Sequence, residues 1–215
     1  MITSDFVPPF AIQFKGNSCA RWVLRRLGWQ LRFDGLPALQ GVFAVYPHTS
    51  NWDFVVLVLV KWASGVPVRF WAKDKLFSVP VLGRWLRLLG GVPVERNSPH
   101  GLVGQTVKHF ADCKSRGVYF WLAVAPEGTR KATPGWRSGF YQATVQAQVP
   151  LCLVKLDYAK REVTIENFIA LKGEPEHDFA RIKQVFEGVR AYRPRQAAPV
   201  RLLGSPDPDT KKAGS

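Results

Sequence analysis

Residues 42–63 read VFAVYPHTSNWDFVVLVLVKWA, and this stretch decides the fold because an extended segment gives way to a helical one within it. The apolar run 42–46 predicts a buried β-strand, and residues 52–63 predict a helix. The same order recurs along the chain, with predicted strand and helix pairs at 68–72 and 81–89, 92–94 and 102–114, and 118–124 and 139–148. A strand at 151–156, a hairpin partner at 162–166 and a closing helix near 175–192 complete the pattern.

Alternation of strands and helices is typical of an α/β fold. We therefore expect a mostly parallel or mixed central sheet that is flanked by helices. Composition agrees with one enzyme-sized domain, since 215 residues are enough to bury a core without disulfide support. Three scattered cysteines, Cys19, Cys113 and Cys152, have neither a paired framework nor the spacing of a zinc site. We expect no metal and a reducing compartment.

The chain is strongly basic, with 30 Lys and Arg residues against 16 Asp and Glu residues and a net charge of +14. Such an excess predicts a negatively charged partner. Its longest uncharged apolar run, residues 54–60, ends at Lys61, whereas a spanning helix needs about 20 residues. The first 20 residues carry Asp5 and two prolines where a signal peptide would have a basic start and an apolar centre. We expect no transmembrane helix and a peripheral protein at the cytoplasmic face of the cell membrane.

Two stretches mix arginine and tryptophan at helical spacing, SCARWVLRRLGW at 18–29 and VLGRWLRLL at 81–89. In the first, a helix places one set of side chains on one side, Arg21, Trp22, Arg25 and Trp29, and another set opposite, Val23, Leu24 and Leu27. In the second, Arg84 and Arg87 form a narrow polar stripe on an otherwise apolar circumference. Both are either core-facing helices with solvated arginines or interfacial elements with tryptophan at the lipid head groups.

His48 and Asp53 lie between the first strand and the first long helix. Ligands of α/β sheets bind at strand ends, and Asp53 falls in the first turn of the helix, with Ser50 or Asn51 as its N-cap. The turn from strand to helix can bring the carboxylate back toward the imidazole. Because imidazole titrates at about pH 6.5 and a carboxylate fixes its tautomer, this pair is suited to removing a hydroxyl proton.

A second block, Pro-Glu-Gly-Thr-Arg at 126–130, follows the predicted strand 118–124 and holds Glu127 and Arg130 on a tight turn. A third, Gly-Val-Pro-Val-Glu-Arg at 91–96, also places an arginine after a short strand, and Val149-Pro150 opens another strand. Any one of these blocks alone indicates no more than a turn with surface charges. Together, in this order, they are far more specific.

The four blocks resemble the four motifs of the glycerolipid acyltransferase family, which includes the lysophosphatidic acid acyltransferases. The HxxxxD motif corresponds to His48 and Asp53 with Ser50 between them, and the PEGTR motif corresponds to residues 126–130. The resemblance covers about residues 40–160 and implies a fold like that of glycerol-3-phosphate acyltransferase. With it, the chain divides into a basic amphipathic, membrane-associating segment at 1–35, an acyltransferase domain at 36–203 and a disordered tail at 204–215.

The resemblance implies that His48, oriented by Asp53, deprotonates the hydroxyl of a lysophospholipid, which then attacks an acyl-CoA or acyl carrier protein thioester. It implies neither a covalent acyl-enzyme nor a cofactor. Backbone amides near Ser50 and Asn51 are expected to stabilise the oxyanion, and the acceptor's glycerol phosphate is expected to bind to Arg96, Glu127, Gly128, Thr129 and Arg130. The expected acceptor is 1-acylglycerol-3-phosphate, with another lipid acceptor such as lyso-ornithine lipid as the alternative, and an anionic membrane surface is the expected partner.

Two other function classes compete. A basic nucleic-acid-binding domain also combines a pI above 9 with aromatic residues among cations, although no nucleic-acid-binding motif is present and we expect no nucleic acid as partner. A serine hydrolase needs Gly-x-Ser-x-Gly at a strand end, and residues 135–139 place Ser138 one position late. Preference for anionic liposomes over DNA tests the first alternative, and labelling by serine-directed phosphonates tests the second.

Overall fold

A computed structural model describes residues 5–94 and 99–204 of the chain. The strands are β1 (Gln30–Phe33), β2 (Gln40–Tyr46), β3 (Arg69–Lys73), β4 (Gly91–Val94), β5 (Phe120–Val124), β6 (Leu151–Asp157) and β7 (Glu162–Ile169). Within the described residues these seven strands form one sheet in the order β1-β7-β6-β2-β5-β3-β4. Among the described pairs of neighbouring strands, β6–β7 is antiparallel and all the others are parallel. The predicted mixed α/β sheet is therefore confirmed.

Helices cover both faces of this sheet. They are α1 (Ser18–Arg26), α2 (Asn51–Ser64), α3 (Asp74–Phe77), α4 (Pro80–Leu88), α5 (Pro99–Ser115), α6 (Gly139–Ala147) and α7 (Pro175–Val185), followed by a 3₁₀ turn at Pro194–Gln196. Across the two described ranges, none of the helices combines the length and the apolar character that a membrane-spanning segment requires.

The central strand β2 is buried along its whole length. Val42 and Ala44 pack into one core cluster with α5, α6 and α7, whereas Phe43 and Val45 pack into a second cluster with α1 and α2. Successive side chains of a strand point to opposite faces, so both faces of β2 need an apolar cover. This explains why its sequence is continuously apolar rather than alternating.

The parallel strands bring their carboxyl ends to one edge of the sheet. Ala44 of β2 pairs with Val124 of β5 on one side and with Leu153 of β6 on the other. The loops that follow β2, β5 and β6 consequently meet at this edge, which we call the carboxyl edge. Strand ends of this kind hold the ligands of α/β proteins.

Two residues after α1 have surroundings that differ from those predicted. This helix ends at Arg26, so helical geometry does not extend to Trp29, which is buried against the sheet, while Leu27 is 52% exposed. The closing helix was also predicted too long. It ends at Val185, and Gly188 with a φ of 76° turns the chain back toward the carboxyl edge.

The N-terminal segment contributes an edge strand to the same sheet, because β1 pairs with β7 in parallel. The short elements β1 and α3 were not predicted, since four residues are too few to display a period. The predicted disordered tail at 204–215 lies outside the described residues apart from Gly204.

Candidate active site

The loop between β2 and α2 carries His48 at the carboxyl edge. Ser50 is the N-cap of α2, and its hydroxyl oxygen accepts a hydrogen bond from the backbone N–H of Trp52 at 3.1 Å. Asp53, at the third helical position, completes a capping box by accepting from the N–H of Ser50 at 2.7 Å. This pairing stabilises helix starts in general, and here it turns a carboxylate back toward the loop that precedes the helix.

The capping carboxylate lies beside the imidazole. Asp53 Oδ2 is 3.3 Å from His48 Nδ1 and also accepts the N–H of Thr49 at 2.6 Å. The Nδ1 atom is buried, and its contact with Oδ2 is close without being a well-aligned hydrogen bond. With Nδ1 on the Asp53 side of the ring, Nε2 is the nitrogen left to accept a proton. The structure thus brings the two predicted catalytic residues together.

The other oxygen of Asp53 is held by a tyrosine, to which the sequence motifs assign no role. Tyr158, in the turn after β6, donates its hydroxyl hydrogen to Oδ1 at 2.7 Å. Its ring packs edge-on against Trp29, with the ring centroids 4.9 Å apart. Tyr158 is therefore a positioning residue for the carboxylate, and only the turn between β6 and β7 brings it there.

Asp53 is fully buried, and the environment of its carboxyl group has opposing effects on its pKa. Burial alone would raise the pKa, but the adjacent His48 imidazole and the hydrogen bonds from Tyr158 and the backbone of Ser50 outweigh burial and hold it below the ordinary value. A carboxylate kept ionised in this way can stabilise an imidazolium when His48 takes up a proton.

Glu127, from the turn after β5, ties His48 to the C-terminal part of the chain. Its Oε2 accepts the backbone N–H of His48 at 2.6 Å, and its Oε1 accepts the N–H of Ala198 at 3.0 Å. The side chain is 1% exposed, and both of its carboxylate oxygens accept backbone N–H groups. Glu127 therefore positions the His48 loop rather than facing a substrate. Burial raises its pKa to about 7, against the opposing effect of these two hydrogen bonds.

The segment after α7 closes the site from a third side. In the amide orientation that satisfies its hydrogen bonds, the Gln196 side chain donates to the carbonyl oxygens of Arg130 at 2.8 Å and Thr49 at 3.1 Å. The N–H of Arg193 donates to Thr49 Oγ1 at 3.2 Å. This segment joins the His48 loop to the Arg130 turn, and sequence motifs gave no sign of it.

The remaining predicted substrate-binding residues lie on the turn after β5. Gly128 has a φ of 67°, a backbone conformation that favours glycine, and a Cβ atom there would lie 2.6 Å from Cδ and Nε of Arg137. Thr129 Oγ1 accepts the N–H of Lys131 at 3.3 Å, and Arg130 is exposed. Arg137 thus lies against the turn that carries Arg130.

The two backbone amides that were predicted to stabilise an oxyanion have different surroundings. The N–H of Ser50 is donated to Asp53 Oδ2, so the prediction that it faces an oxyanion was wrong. The N–H of Asn51, the first residue of α2, belongs to the first turn, where no carbonyl four residues back can accept it within the helix. Arg96 lies outside the described residues.

The serine of residues 135–139 is not at the end of a strand. Ser138 precedes α6, and the nearest strand before it, β5, ends at Val124. A hydrolase nucleophile needs a sharp turn directly between strand and helix, and this arrangement is different. Within the part of the chain that the structure describes, no three His, Cys, Asp or Glu side chains come together as metal ligands would.

A sequence model of the family described as Acyltransferase matches residues 31–155, which is more than half of the chain. The chain belongs to the acyltransferase family. The matched residues include His48, Asp53 and the turn with Glu127 and Arg130, whereas Tyr158 and the segment that holds Gln196 lie beyond them. This explains why family motifs indicated the first group and not the second.

One solved structure is similar to this acyltransferase, the 1-acyl-sn-glycerophosphate (LPA) acyltransferase PlsC from Thermotoga maritima. The two sequences are 19% identical, the match covers 77% of this chain and 73% of that chain, and the TM-score is 0.46. No curated protein matches the chain.

Proposed function

We propose that this acyltransferase moves a fatty acyl group from an acyl-CoA or acyl carrier protein thioester to the free hydroxyl of a lysophospholipid. The acceptor we favour is 1-acylglycerol-3-phosphate. The observation that carries the proposal is the 3.3 Å approach of His48 Nδ1 to Asp53 Oδ2, at the carboxyl edge and beside the arginine-bearing turn after β5. Transfer to a phosphate-bearing alcohol requires a base that lies close to cationic side chains able to bind the phosphate.

In this mechanism, His48 Nε2 takes the proton of the acceptor hydroxyl while the hydroxyl oxygen attacks the thioester carbonyl carbon. The tetrahedral intermediate then collapses, the carbon–sulfur bond breaks, and the leaving thiolate takes the proton from the imidazolium. The products are the ester and a free thiol, with no acyl-enzyme and no cofactor. Asp53 stabilises the imidazolium between the two steps, and the bonds from Tyr158 and the Ser50 backbone keep it ionised.

The start of α2 is the proposed site for the negative charge that develops on the carbonyl oxygen. The Asn51 N–H belongs to the first helical turn, and the positive end of the helix dipole favours an anion there. Ser50, whose amide is engaged by Asp53, acts in this proposal through the helix cap that holds the loop.

We assign the acceptor phosphate to the cations around the same edge. Arg130 and Arg137 are exposed on neighbouring turns, and Arg193 is exposed on the segment whose backbone binds Thr49. Guanidinium groups bind phosphate oxygens two at a time, which suits a mobile lipid head group. Thr129 lies on the same turn as a further polar contact, and Arg96 remains a predicted ligand. We place the enzyme at the cytoplasmic face of the cell membrane, where lysophospholipid acceptors are found.

An acceptor panel tests the proposal. Purified protein is incubated with labelled palmitoyl-CoA or palmitoyl-acyl carrier protein and one of several lysolipids, including lysophosphatidate and lyso-ornithine lipid, and products are identified by mass spectrometry. We expect an acylated glycerophospholipid. Acylation of a non-phosphorylated lipid alone would overturn the assignment of the arginines.

Replacing the base tests the mechanism. In His48→Ala we expect kcat to fall by about 10²- to 10⁴-fold, the range that general base catalysis contributes. His177→Ala, at a half-exposed histidine on α7, is the matched control and should keep wild-type turnover. Wild-type activity in His48→Ala would contradict the mechanism.

A further inference from the structure

One side of the molecule exposes apolar side chains to an unusual extent. Helices α1, α2 and α4 carry them on their outward sides, and we call this surface the docking face: Trp22, Trp52, Val55, Trp62, Val81, Trp85 and Leu88. Val81 and Leu88 are each 83% exposed, and Trp22 and Trp52 are 62% and 59% exposed. Contiguous exposed patches of this kind mark interaction surfaces.

Helix α2 contacts both of the other two helices, α1 and α4. Helices α1 and α2 share one core cluster, and Phe54 of α2 contacts Trp85 of α4 with ring centroids 5.7 Å apart. The opposite layer is different. Among the described side chains, no strongly exposed large hydrophobic residue lies on α5, α6 or α7. Among these described helices, the exposed large apolar side chains therefore lie on one layer.

The helices that carry the docking face are strongly basic. The three helices carry six cations, Arg21, Arg25, Arg26, Lys61, Arg84 and Arg87, and a single carboxylate, the buried Asp53. By contrast, α5, α6 and α7 together carry four lysines and arginines and three acids. Tryptophan and cations on one apolar surface match the interface of an anionic bilayer, where rings sit at the head groups and cations meet phosphates.

A groove beside α1 has the same chemistry. It encloses about 610 Å³ between α1 and the edge strand β1, with Arg21 and Arg25 together with the apolar side chains Leu24, Leu31 and Phe33. Arg21 Nε donates to the Ala63 carbonyl at 2.9 Å, which fixes that side chain against α2. A lipid phosphate and the upper part of its chain would meet cations and apolar carbon in this groove, which does not include His48.

The docking face reaches the carboxyl edge. The chain enters α2 directly after the His48 loop, so Trp52 lies within the first turn beside the site. Strand β3 ends at the same edge, and α3 and α4 follow it, which places Val81 near that end of the sheet. Trp29, just after α1, contacts Tyr158 of the site. A lipid acceptor therefore has only a short way to travel between the bilayer and His48.

We propose that the docking face binds an anionic lipid bilayer and delivers the acceptor to His48 along the start of α2. This rests on the proposed function for the identity of the acceptor, while bilayer binding itself is measured without catalysis. Nucleic acid and a second copy of the chain are the other occupants that the test must separate.

The experiment measures sedimentation with vesicles of phosphatidylcholine, with or without phosphatidylglycerol, at physiological salt. We expect wild-type protein to bind the phosphatidylglycerol vesicles, and Val81→Glu/Leu88→Glu to weaken binding at least tenfold. Arg84→Gln should weaken binding only to the anionic vesicles. Val7→Glu is the matched control, since Val7 is 79% exposed but lies outside the three helices, and it should bind like wild type.

Several outcomes would overturn the proposal that the docking face binds an anionic bilayer. These are wild-type protein that ignores anionic vesicles, variants that bind like wild type, equal loss in Val7→Glu, tighter binding to duplex DNA than to vesicles, and dimerisation that Val81→Glu/Leu88→Glu abolishes. Turnover of short-chain, water-soluble substrates separates the two proposals. We expect Val81→Glu/Leu88→Glu to keep that turnover, whereas a wild-type protein that binds vesicles but transfers no acyl group would contradict the proposed function alone.

Discussion

Asp53 in α2 and Asp178 in α7 are held in the same way at opposite edges of the sheet. Each is fully buried, and each accepts a tyrosine hydroxyl at 2.7 Å, from Tyr158 and Tyr141 respectively. Each also accepts two backbone N–H groups. A histidine lies beside both, with Nδ1 3.3 Å from Asp53 and 3.8 Å from Asp178.

The two regions differ in where the histidine stands. His48 precedes its helix in a loop at the carboxyl edge, whereas His177 lies within α7, is half exposed, and follows the end of β7 at the other edge. Only the first region faces the turn with Arg130. An aspartate in contact with a tyrosine and close to a histidine thus occurs at the start of two helices, so this contact alone does not mark an active site. The edge of the sheet and the neighbouring cations make one of them a candidate active site.

Replacing each aspartate should affect turnover in one region and not in the other. In Asp53→Asn, we expect kcat to fall by about 10²- to 10⁴-fold, because an amide neither orients the imidazole nor stabilises its cation. In Asp178→Asn, turnover per folded molecule should stay at the wild-type level. Both variants should lose about 1–3 kcal/mol in unfolding free energy, since an amide cannot accept all the bonds of a buried carboxylate.

Steady-state kinetics and urea unfolding measure the two effects separately. Equal loss of turnover in both variants would mean that the rate follows stability and not position. Unchanged turnover in Asp53→Asn would remove the carboxylate from the mechanism.

Glu127 sharpens the comparison as a buried carboxylate whose two oxygens accept backbone N–H groups, from His48 and Ala198. Its folded pKa of about 7 exceeds the ordinary value of 4.5, so the folded state holds its proton more tightly than the unfolded state. Its contribution to stability is therefore present below about pH 4.5 and is lost as pH rises to about 7, on the order of 3 kcal/mol in total. Asp53 has the opposite sign, because its lowered pKa gives stability that is lost only when pH falls through that value.

Urea unfolding at steps of about one pH unit between pH 5 and 8 measures this loss of unfolding free energy in wild type and in Glu127→Gln. We expect the decline with rising pH to be weaker in the variant. Parallel curves would show that Glu127 titrates at its ordinary value.

Removing each tyrosine hydroxyl is the mildest test. Tyr158→Phe should lower kcat about tenfold, which corresponds to about 1.4 kcal/mol in the activation barrier. Tyr141→Phe should lower stability by a similar amount and leave the rate unchanged. A lowered kcat in Tyr141→Phe would contradict the difference between the two regions.

Much of the fold was predictable because its signals are local. The apolar run 42–46 and the following helical stretch were recognised from period alone, and β2 and α2 match them closely. The capping position of Ser50 and the return of Asp53 toward His48 were also local, since a capping box spans four residues. Trp29 was placed wrongly because helical geometry was applied past the point where α1 ends.

The residues that were missed are distant in sequence from the site. Tyr158 reaches Asp53 across 105 positions, and Ala198 reaches Glu127 across 71. No period or motif connects such pairs, because strand order and the turn after α7 bring them together. The assignment of Glu127 as a substrate ligand depended on the same information, since only the coordinates show which donors its oxygens accept.

The amino-acid sequence by itself determined the alternation of strands and helices, the basic charge, and the pairing of His48 with Asp53 through a helix cap, since each depends on neighbouring residues. Tertiary structure alone decided which side chains support that pair, and it decided that the tryptophans of α1, α2 and α4 stay exposed. Burial and long-range hydrogen bonds are properties of the packed chain, so they exist only once the sheet has assembled.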